Sequence, residues 1–350
     1  MVGRKAEALH TAADAPESRR GAGSAPGVVR DAVTVAAVQL RSRVGPAAER
    51  QAAIEAWVAR AAEAGADIVV LPELAHSGYL PNAASWELGE TMDGPSVGHV
   101  RALARRHRVY VGSGMVLREG DDVVNAYLLA DEAGDVAGVV RKRFAETYCF
   151  LPVAGDVAVD TRWGRIGVAI CADNHRVDTL RRVRSAGVVL HLMPHAWPMP
   201  ARAGGLVSEA DLQVAGTRAR DLCRTYATYL GVPAVVVNAV GPLAPMDGML
   251  GRLLAPERFA LGGLTQAATP DGAAFGPLGD EEGLLLATVV LGAGPVVAGD
   301  PPTWNGWLHP GPALLRRVLM PVDAWWGGCV YRARRARRAR SARAAGSARA

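Results

Sequence analysis

A cysteine, a glutamate and a lysine each stand where an apolar run of this 350-residue chain stops. Arg165-Ile166-Gly167-Val168-Ala169-Ile170 ends in Cys171, with Ala172 and Asp173 after it. Ala66-Asp67-Ile68-Val69-Val70-Leu71-Pro72 ends in Glu73, and Val136-Ala137-Gly138-Val139-Val140-Arg141 ends in Lys142. β-Branched runs of this length read as buried strands, and strand ends are where a sheet protein presents reactive side chains. A thiol, a carboxylate base and a fixed ammonium are what amide cleavage through a covalent acyl intermediate requires. Each residue also has a plainer reading. A cysteine after an apolar run is usually a small buried hydrophobe, and Cys149 and Cys223 read that way. Glu73 after a proline reads equally as a loop carboxylate, and Lys142 between Arg141 and Arg143 as part of a solvated basic edge. Keeping all three plain readings needs three coincidences in one order, so the catalytic reading is preferred.

The three segments resemble the nitrilase superfamily of carbon–nitrogen hydrolases, whose catalytic Glu, Lys and Cys come in this order. Leu71-Pro72-Glu73 with Gly78-Tyr79, Arg141-Lys142, and Gly164 to Asp173 carry the resemblance. Accessory matches run from a first strand at Val35 to Gln39 through Asn125, Pro152, Gly155-Asp156, Pro194, Ala219-Arg220 and Asn238. They continue to Thr269-Pro270-Asp271-Gly272 and a last strand at 282–290, so the likeness spans residues 32–292. It implies an α/β fold, a four-layer α-β-β-α sandwich of two mixed six-stranded-type sheets, in a homodimer or higher homo-oligomer. It implies Cys171 as nucleophile, Glu73 as base and Lys142 as cation, with no metal and no organic cofactor. Glu146 is the candidate for the family's second glutamate, although only Arg143, Phe144 and Ala145 separate it from Lys142, a shorter loop than many members have. The usual Pro-Glu after the cysteine loop is here Val177-Asp178, so that motif assigns no subfamily.

An amide resists attack because its carbonyl is resonance-stabilised and its nitrogen leaves poorly, so the nucleophile is expected to be strong and already deprotonated, a part that suits Cys171 if Lys142 lowers its pKa and Glu73 accepts its proton. Lys142 and the backbone N–H of Ala172 are the expected donors to the developing oxyanion. Tyr79, Tyr148, Asn174, His175, His195 and Trp197 follow catalytic strands or Pro194 and are the expected substrate-facing residues. Arg176 is either a carboxylate partner or a surface helix cap. The expected reaction is hydrolysis of a linear amide or N-carbamoyl compound, releasing ammonia or an amine. A nitrile hydrolase and an acyltransferase to an amine use the same thiol, but true nitrilases follow the cysteine with Trp-Glu rather than Ala172-Asp173. A silent scaffold is disfavoured because Glu73, Lys142 and Cys171 are all present.

Composition fits this picture. Half the residues are hydrophobic, enough for a large core in a fold that commonly runs this long as one domain. Cysteines at 149, 171, 223 and 329 show no zinc or disulfide spacing, and a free catalytic thiol suits a reducing cytoplasm, the expected location. The pI of about 9.3 misleads. Residues 332–350 carry eight Arg and no acid and residues 1–31 a balance of +1, so the formal +5 leaves −4 for residues 32–331. Nucleic-acid binding by the body is therefore not indicated. No continuous apolar signal segment begins the chain, and residues 225–246, though uncharged, are broken by Pro233, Asn238, Pro242 and Pro245.

Residues 1–31 are expected to be a disordered extension. Helical spacing marks 47–64, 178–185 and 210–230. Hairpins are expected for 123–130 with 136–141, for 156–160 with 165–171, and for 264–269 with 284–290. Leu314, Leu315, Val318, Leu319, Trp325 and Trp326 read as an amphipathic helix broken at Pro321, in a strap over 293–331. A disordered Arg-rich tail, 332–350, follows. The strap reads as packing on a neighbouring subunit, or with the tail as a contact for anionic lipid or nucleic acid.

Overall fold

Alternation along the strands sets the layers. In Val35-Ala36-Ala37-Val38, Val35 and Ala37 join one apolar cluster while Ala36 and Val38 join another, as pleated geometry requires when both faces of a sheet are covered. The computed structural model describes residues 9–10, 32–204, 208–253, 256–292, 294–311 and 313–347. Its strands begin with β1 (Leu9–His10), β2 (Ala32–Gln39), β3 (Ile68–Val70), β4 (Tyr110–Glu119), β5 (Asp122–Ala130) and β6 (Val136–Arg141). Next come β7 (Ala158–Thr161), β8 (Gly164–Val168), β9 (Leu190–His195), β10 (Pro198–Pro200) and β11 (Ala234–Asn238). The last are β12 (Val240–Pro242), β13 (Phe259–Gly262), β14 (Gln266–Ala268), β15 (Ala274–Phe275) and β16 (Gly283–Val290). The α-helices are α1 (Ala47–Glu63), α2 (Pro95–His107), α3 (Val177–Ser185), α4 (Glu209–Leu230), α5 (Gly248–Leu253) and α6 (Met320–Ser347).

One sheet has the order β1-β16-β2-β3-β4-β5-β6, six strands extended by the two-residue β1, and the other β15-β14-β11-β9-β8-β7. Both are mixed: β2, β3 and β4 run parallel, as do β8, β9 and β11, with antiparallel neighbours outside them. Val35, Ile68 and Leu129 of the first sheet meet Ile166, Leu192 and Val235 of the second in a shared core. Ile54, Trp57 and Val58 of α1 and Val100 and Leu103 of α2 cover the outer face of the first sheet. Leu180 and Val183 of α3 and Leu222 and Tyr226 of α4 cover the second. The α-β-β-α sandwich expected from the sequence is the observed fold. Ser208 and Asp211 cap α4 reciprocally, and Gly231, at φ +68°, ends it in the left-handed conformation that only glycine adopts freely. Residues 225–246 form the end of α4 with β11 and β12, and among the described residues no helix is long and apolar enough to cross a membrane.

Three expectations are corrected. Residues 264–269 and 284–290 do not pair: β14 lies between β11 and β15 in one sheet, whereas β16 pairs with β2 in the other. Strand patterning gives the faces but not the partner, and a long connection between the two lets them part. The strap helix is not broken at Pro321. The turn before it, Leu315–Leu319, is a π-helix closed by Met320 N–H to the Leu315 carbonyl, a wider turn that leaves room for the proline ring. The Arg-rich segment is helical through Ser347 rather than disordered. Ala and Arg are strong helix formers, and the helix is tied down along one side. Tyr331 is buried against Trp86 and accepts the Val123 N–H at 2.9 Å. Arg334 donates to the Tyr148 carbonyl at 2.9 Å, and Arg335 and Arg338 pair with Asp122 and Glu87. Trp325 and Trp326 stay 65% and 56% exposed on the other side. Apart from Leu9–His10, the expected disorder of residues 1–31 falls outside the described residues, as do 348–350.

Gly114 in β4 shows how closely the fold is built around the Glu73 turn. Its N–H donates to the Pro72 carbonyl at 3.2 Å and its carbonyl accepts the His76 N–H at 3.1 Å. A β-carbon at Gly114 would overlap the Leu74 nitrogen and crowd the Glu73 backbone. Gly114→Ala is expected to cost about 1–3 kcal/mol by overpacking, a Tm loss of roughly 2–6 °C read by calorimetry. An unchanged Tm would contradict this close approach.

Candidate active site

The strand ends converge. Glu73 follows β3 by three residues, Lys142 follows β6 directly and Cys171 follows β8 by three, so the sandwich delivers all three to one end of the paired sheets. Lys142 Nζ lies 2.6 Å from Glu73 Oε1 and 2.8 Å from Glu146 Oε1, with the Lys142 and Glu73 side chains wholly buried. Glu73 Oε1 also accepts from Asn125 Nδ2 at 2.7 Å, and its Oε2 from the Ala196 N–H at 2.9 Å. Glu146 Oε1 also accepts from the Tyr79 hydroxyl at 3.0 Å, while its Oε2 is buried with no partner among the described residues.

Cys171 opens a 3-10 turn, Cys171–His175, and holds φ at +46°, a left-handed conformation costly for a residue with a β-carbon. The turn is pinned on several sides. Asp173 N–H donates to the Ile170 carbonyl at 3.0 Å, and Asn174 Nδ2 to the Ala169 carbonyl at 2.6 Å. The Asp173 carboxylate accepts the N–H groups of Phe144 at 2.7 Å and Arg143 at 3.2 Å, tying the cysteine turn to the loop after Lys142. The Ala196 N–H that serves Glu73 is also near enough to favour the charged form of the Cys171 thiol.

The electrostatics follow from burial around one shared cation. Burial, then the charge of Glu73, pushes the Cys171 thiol well up, against the pull of Lys142. Burial raises Glu73 as well, with Lys142 opposing. Lys142 is held well above its ordinary value because Glu146 and Glu73 outweigh its desolvation. Burial lifts Asp173 to about 6 against the backbone N–H groups that hold it. The expected ready-made thiolate is therefore corrected: burial outweighs Lys142, and at rest the site is a protonated thiol beside a carboxylate that readily takes a proton. Cys149 and Cys223 are buried and pushed up by burial, in keeping with their inert reading.

Of the expected residues, Glu73, Lys142, Glu146, Cys171, Ala172 and Tyr79 come together. His175 stands at the end of the cysteine turn, edge-on to Trp197 at 4.3 Å. Three are placed otherwise. Tyr148 turns its hydroxyl to Asp323 of α6, at 3.0 Å, because the short loop after Glu146 carries it towards the C-terminal helix. Asn174 is fully buried, its amide spent on Ala169, His195 and His191, so it braces the turn. His195, fully buried on that amide, belongs to the same brace. Arg176 stacks on Phe144 at 5.0 Å and Trp307 at 4.7 Å rather than capping a helix through surface charge. Sequence reasoning gave no site role to Asn125, Ala196 or Asp173. Asn125 carried a signal, being the polar residue inside the apolar run 123–130; Ala196 acts through its backbone and carried none.

The model of the carbon–nitrogen hydrolase family matches residues 34–294. The chain belongs to that family. Citrullinase of Francisella tularensis is 31% identical over 176 residues, 47% of this chain and 61% of the relative. A bromoxynil-specific nitrilase of Klebsiella pneumoniae is 24% identical over 258 residues, 67% and 70% of the two chains. The chain thus spans less than two thirds of the citrullinase's length. Among solved structures, an amidase of Nesterenkonia AN1 superposes with TM-score 0.60 at 22% identity, covering 74% of this chain and 90% of that one. A carbon–nitrogen hydrolase of Helicobacter pylori gives 0.63 at 19%, covering 74% and 89%. These likenesses show the fold.

Glu73→Gln keeps the shape of the side chain and removes the proton acceptor, so kcat should fall at least ~10²-fold. Lys142→Met should fall as far through loss of the oxyanion donor, and should also lower Tm, since Glu73 and Glu146 are left buried without their cation. A near-wild-type kcat in either variant would contradict the role given to that residue.

Proposed function

We propose that this chain hydrolyses a carbon–nitrogen bond, other than a peptide bond, in a linear amide or N-carbamoyl compound through a thioester on Cys171. The observation that carries the reading is one buried ammonium held by two carboxylates beside a cysteine in a left-handed turn. As the thiol attacks, its proton passes to Glu73, which burial has made receptive, and Lys142 faces the negative charge that develops. The proton transfer leaves the net charge of the buried group unchanged, so it carries no further desolvation cost. The carbonyl oxygen becomes an oxyanion, stabilised by Lys142 and the Ala172 N–H, each donor worth about 3 kcal/mol. Glu146 Oε2, buried and unpartnered, is available to accept an N–H of the bound amide. Glu73 then gives its proton to the departing nitrogen, and the acyl group remains on sulfur. Water, deprotonated by the same Glu73, attacks the thioester, and the acid leaves with the thiol restored.

A nitrile is the second reading, favoured by the relative named as a nitrilase. It uses the same attack, with a thioimidate in place of the first tetrahedral adduct. The substrate panel therefore includes linear amides, ureido acids such as citrulline, chosen because one relative is named citrullinase, and nitriles. Cys171→Ala removes only the nucleophile, and its ammonia release should drop to background on every substrate the wild type accepts, with Tm retained. Turnover persisting in Cys171→Ala would overturn the assignment.

A further inference from the structure

Helix α6 and the π-turn that leads into it have two unlike faces. Asp323, Gly327, Tyr331, Arg334 and Arg338 recur at the three- and four-residue spacing of a single helical face, and that face seats the helix on the body. Asp323 Oδ1 accepts the Tyr148 hydroxyl at 3.0 Å and the Met249 N–H at 2.7 Å, while Arg338 stacks on Trp86 at 5.4 Å and pairs with Glu87. The opposite face carries Val318, Val322, Trp325 and Trp326, all exposed, with exposed Leu314 just before them. Past Cys329 the same face continues into exposed Arg332, Arg337 and Arg340. Asp247, Asp122 and Glu87 are held by Arg334, Arg335 and Arg338, which leaves Arg337 and Arg340 without an ion pair among the described residues. From Ala324 to Ser347 the sequence has no acid. Trp326 also walls an open cleft of about 570 Å³ with Met249 and Val330, so the apolar surface extends off the helix. A single exposed leucine needs no explanation, whereas a contiguous apolar run edged by cations marks an interaction surface.

We propose that this face of α6 lies on the surface of an anionic lipid bilayer, with Trp325 and Trp326 at headgroup depth and Arg332, Arg337 and Arg340 on the lipid phosphates. An indole has an apolar body and one polar N–H, which suits the boundary between acyl chains and headgroups. An arginine lays its stem along apolar surface while its guanidinium fork binds phosphate. At 1.5 Å of rise per residue the apolar stretch from Val318 to Trp326 and the basic stretch from Arg332 to Arg340 are each about 12 Å long, end to end on one face. A helix lying in the plane of the interface therefore seats both together. Charge favours a bilayer over a second copy of this chain. Two-fold pairing of the face sets one acid-free helix against another and leaves Arg332, Arg337 and Arg340 without counter-charges. RNA would satisfy those arginines but leaves Leu314, Val318 and Val322 with nothing apolar to meet. The surface is separate from the chemistry proposed for Cys171 and does not depend on it.

The test is flotation of the full-length protein with vesicles of phosphatidylcholine alone and of phosphatidylcholine with phosphatidylglycerol at about 2:1, each in low and in high NaCl. Two double variants accompany the wild type: Trp325→Ser with Trp326→Ser, and Arg337→Gln with Arg340→Gln. All four side chains are exposed, so both variants should keep the wild-type Tm. The wild type is expected to bind the phosphatidylglycerol vesicles at least ~10-fold more tightly than phosphatidylcholine alone. Removing the two tryptophans should weaken binding at least ~10-fold at either salt. Removing the two arginines should weaken it about 30-fold in low salt and far less in high salt, where the charges are already screened. Equal binding to the two vesicles, or binding that neither double variant weakens, would overturn the proposal. So would a dimer, seen by light scattering, that the tryptophan variant dissociates, since the face would then belong to a second copy. Binding to polyuridylate with none to either vesicle would give the face to nucleic acid and overturn it equally.

Discussion

One buried ammonium holds this site together. Lys142 is wholly enclosed, and its charge is divided between Glu73 and Glu146 at 2.6 and 2.8 Å. Bringing three charges out of water is costly unless nearly every polar atom finds a partner. Asn125, the Ala196 N–H and the Tyr79 hydroxyl supply most of those partners. Both sheets contribute to the arrangement: Lys142 and Asn125 come from the first, Ala196 and Cys171 from the second. Separating the sheets would strand the charges, so the packing of the sandwich and the chemistry of the site depend on one another. Burial, and after it the charge of Glu73, keeps the neighbouring thiol protonated at rest against the pull of Lys142.

The elements that carry this group were legible because their signal is local. A β-branched run ending in Glu73, Lys142 or Cys171 identifies a strand and its end without any knowledge of partners. The pairing of β14 and β16 was not legible, because alternation tells which face is buried and not which strand lies alongside. Tyr148, Asn174 and His195 were assigned to the substrate by position in the chain. Position cannot reveal that a hydroxyl has been taken by Asp323, or that an amide is spent bracing the turn. The Arg-rich segment misled for a different reason. Its composition resembles that of a disordered tail, yet Arg and Ala favour helix, and the acids that hold Arg334, Arg335 and Arg338 lie more than eighty residues away in the chain.

The part of the chain beyond the two sheets does more than extend the fold. The strap docks on the carbonyl of His175, at the end of the turn that Cys171 begins, and α6 fixes the loop that carries Glu146 through Tyr148 and Thr147. The family match ends at residue 294, so the strap and α6 border the site from outside the matched segment. The side chains at that border are basic and short of partners, in contrast to the mildly acidic charge balance of the body.

In the proposed reaction Cys171 carries the acyl group while Lys142 and Glu73 manage the charge around it. Rapid mixing of the wild-type protein with an accepted amide, acid quench and peptide mass spectrometry test this most directly. A mass increase equal to the acyl group is expected, confined to the peptide containing Cys171 and decaying as acid is released. Acid and ammonia formed with no adduct on Cys171 at any mixing time, or an adduct on Cys149, Cys223 or Cys329 instead, would contradict it.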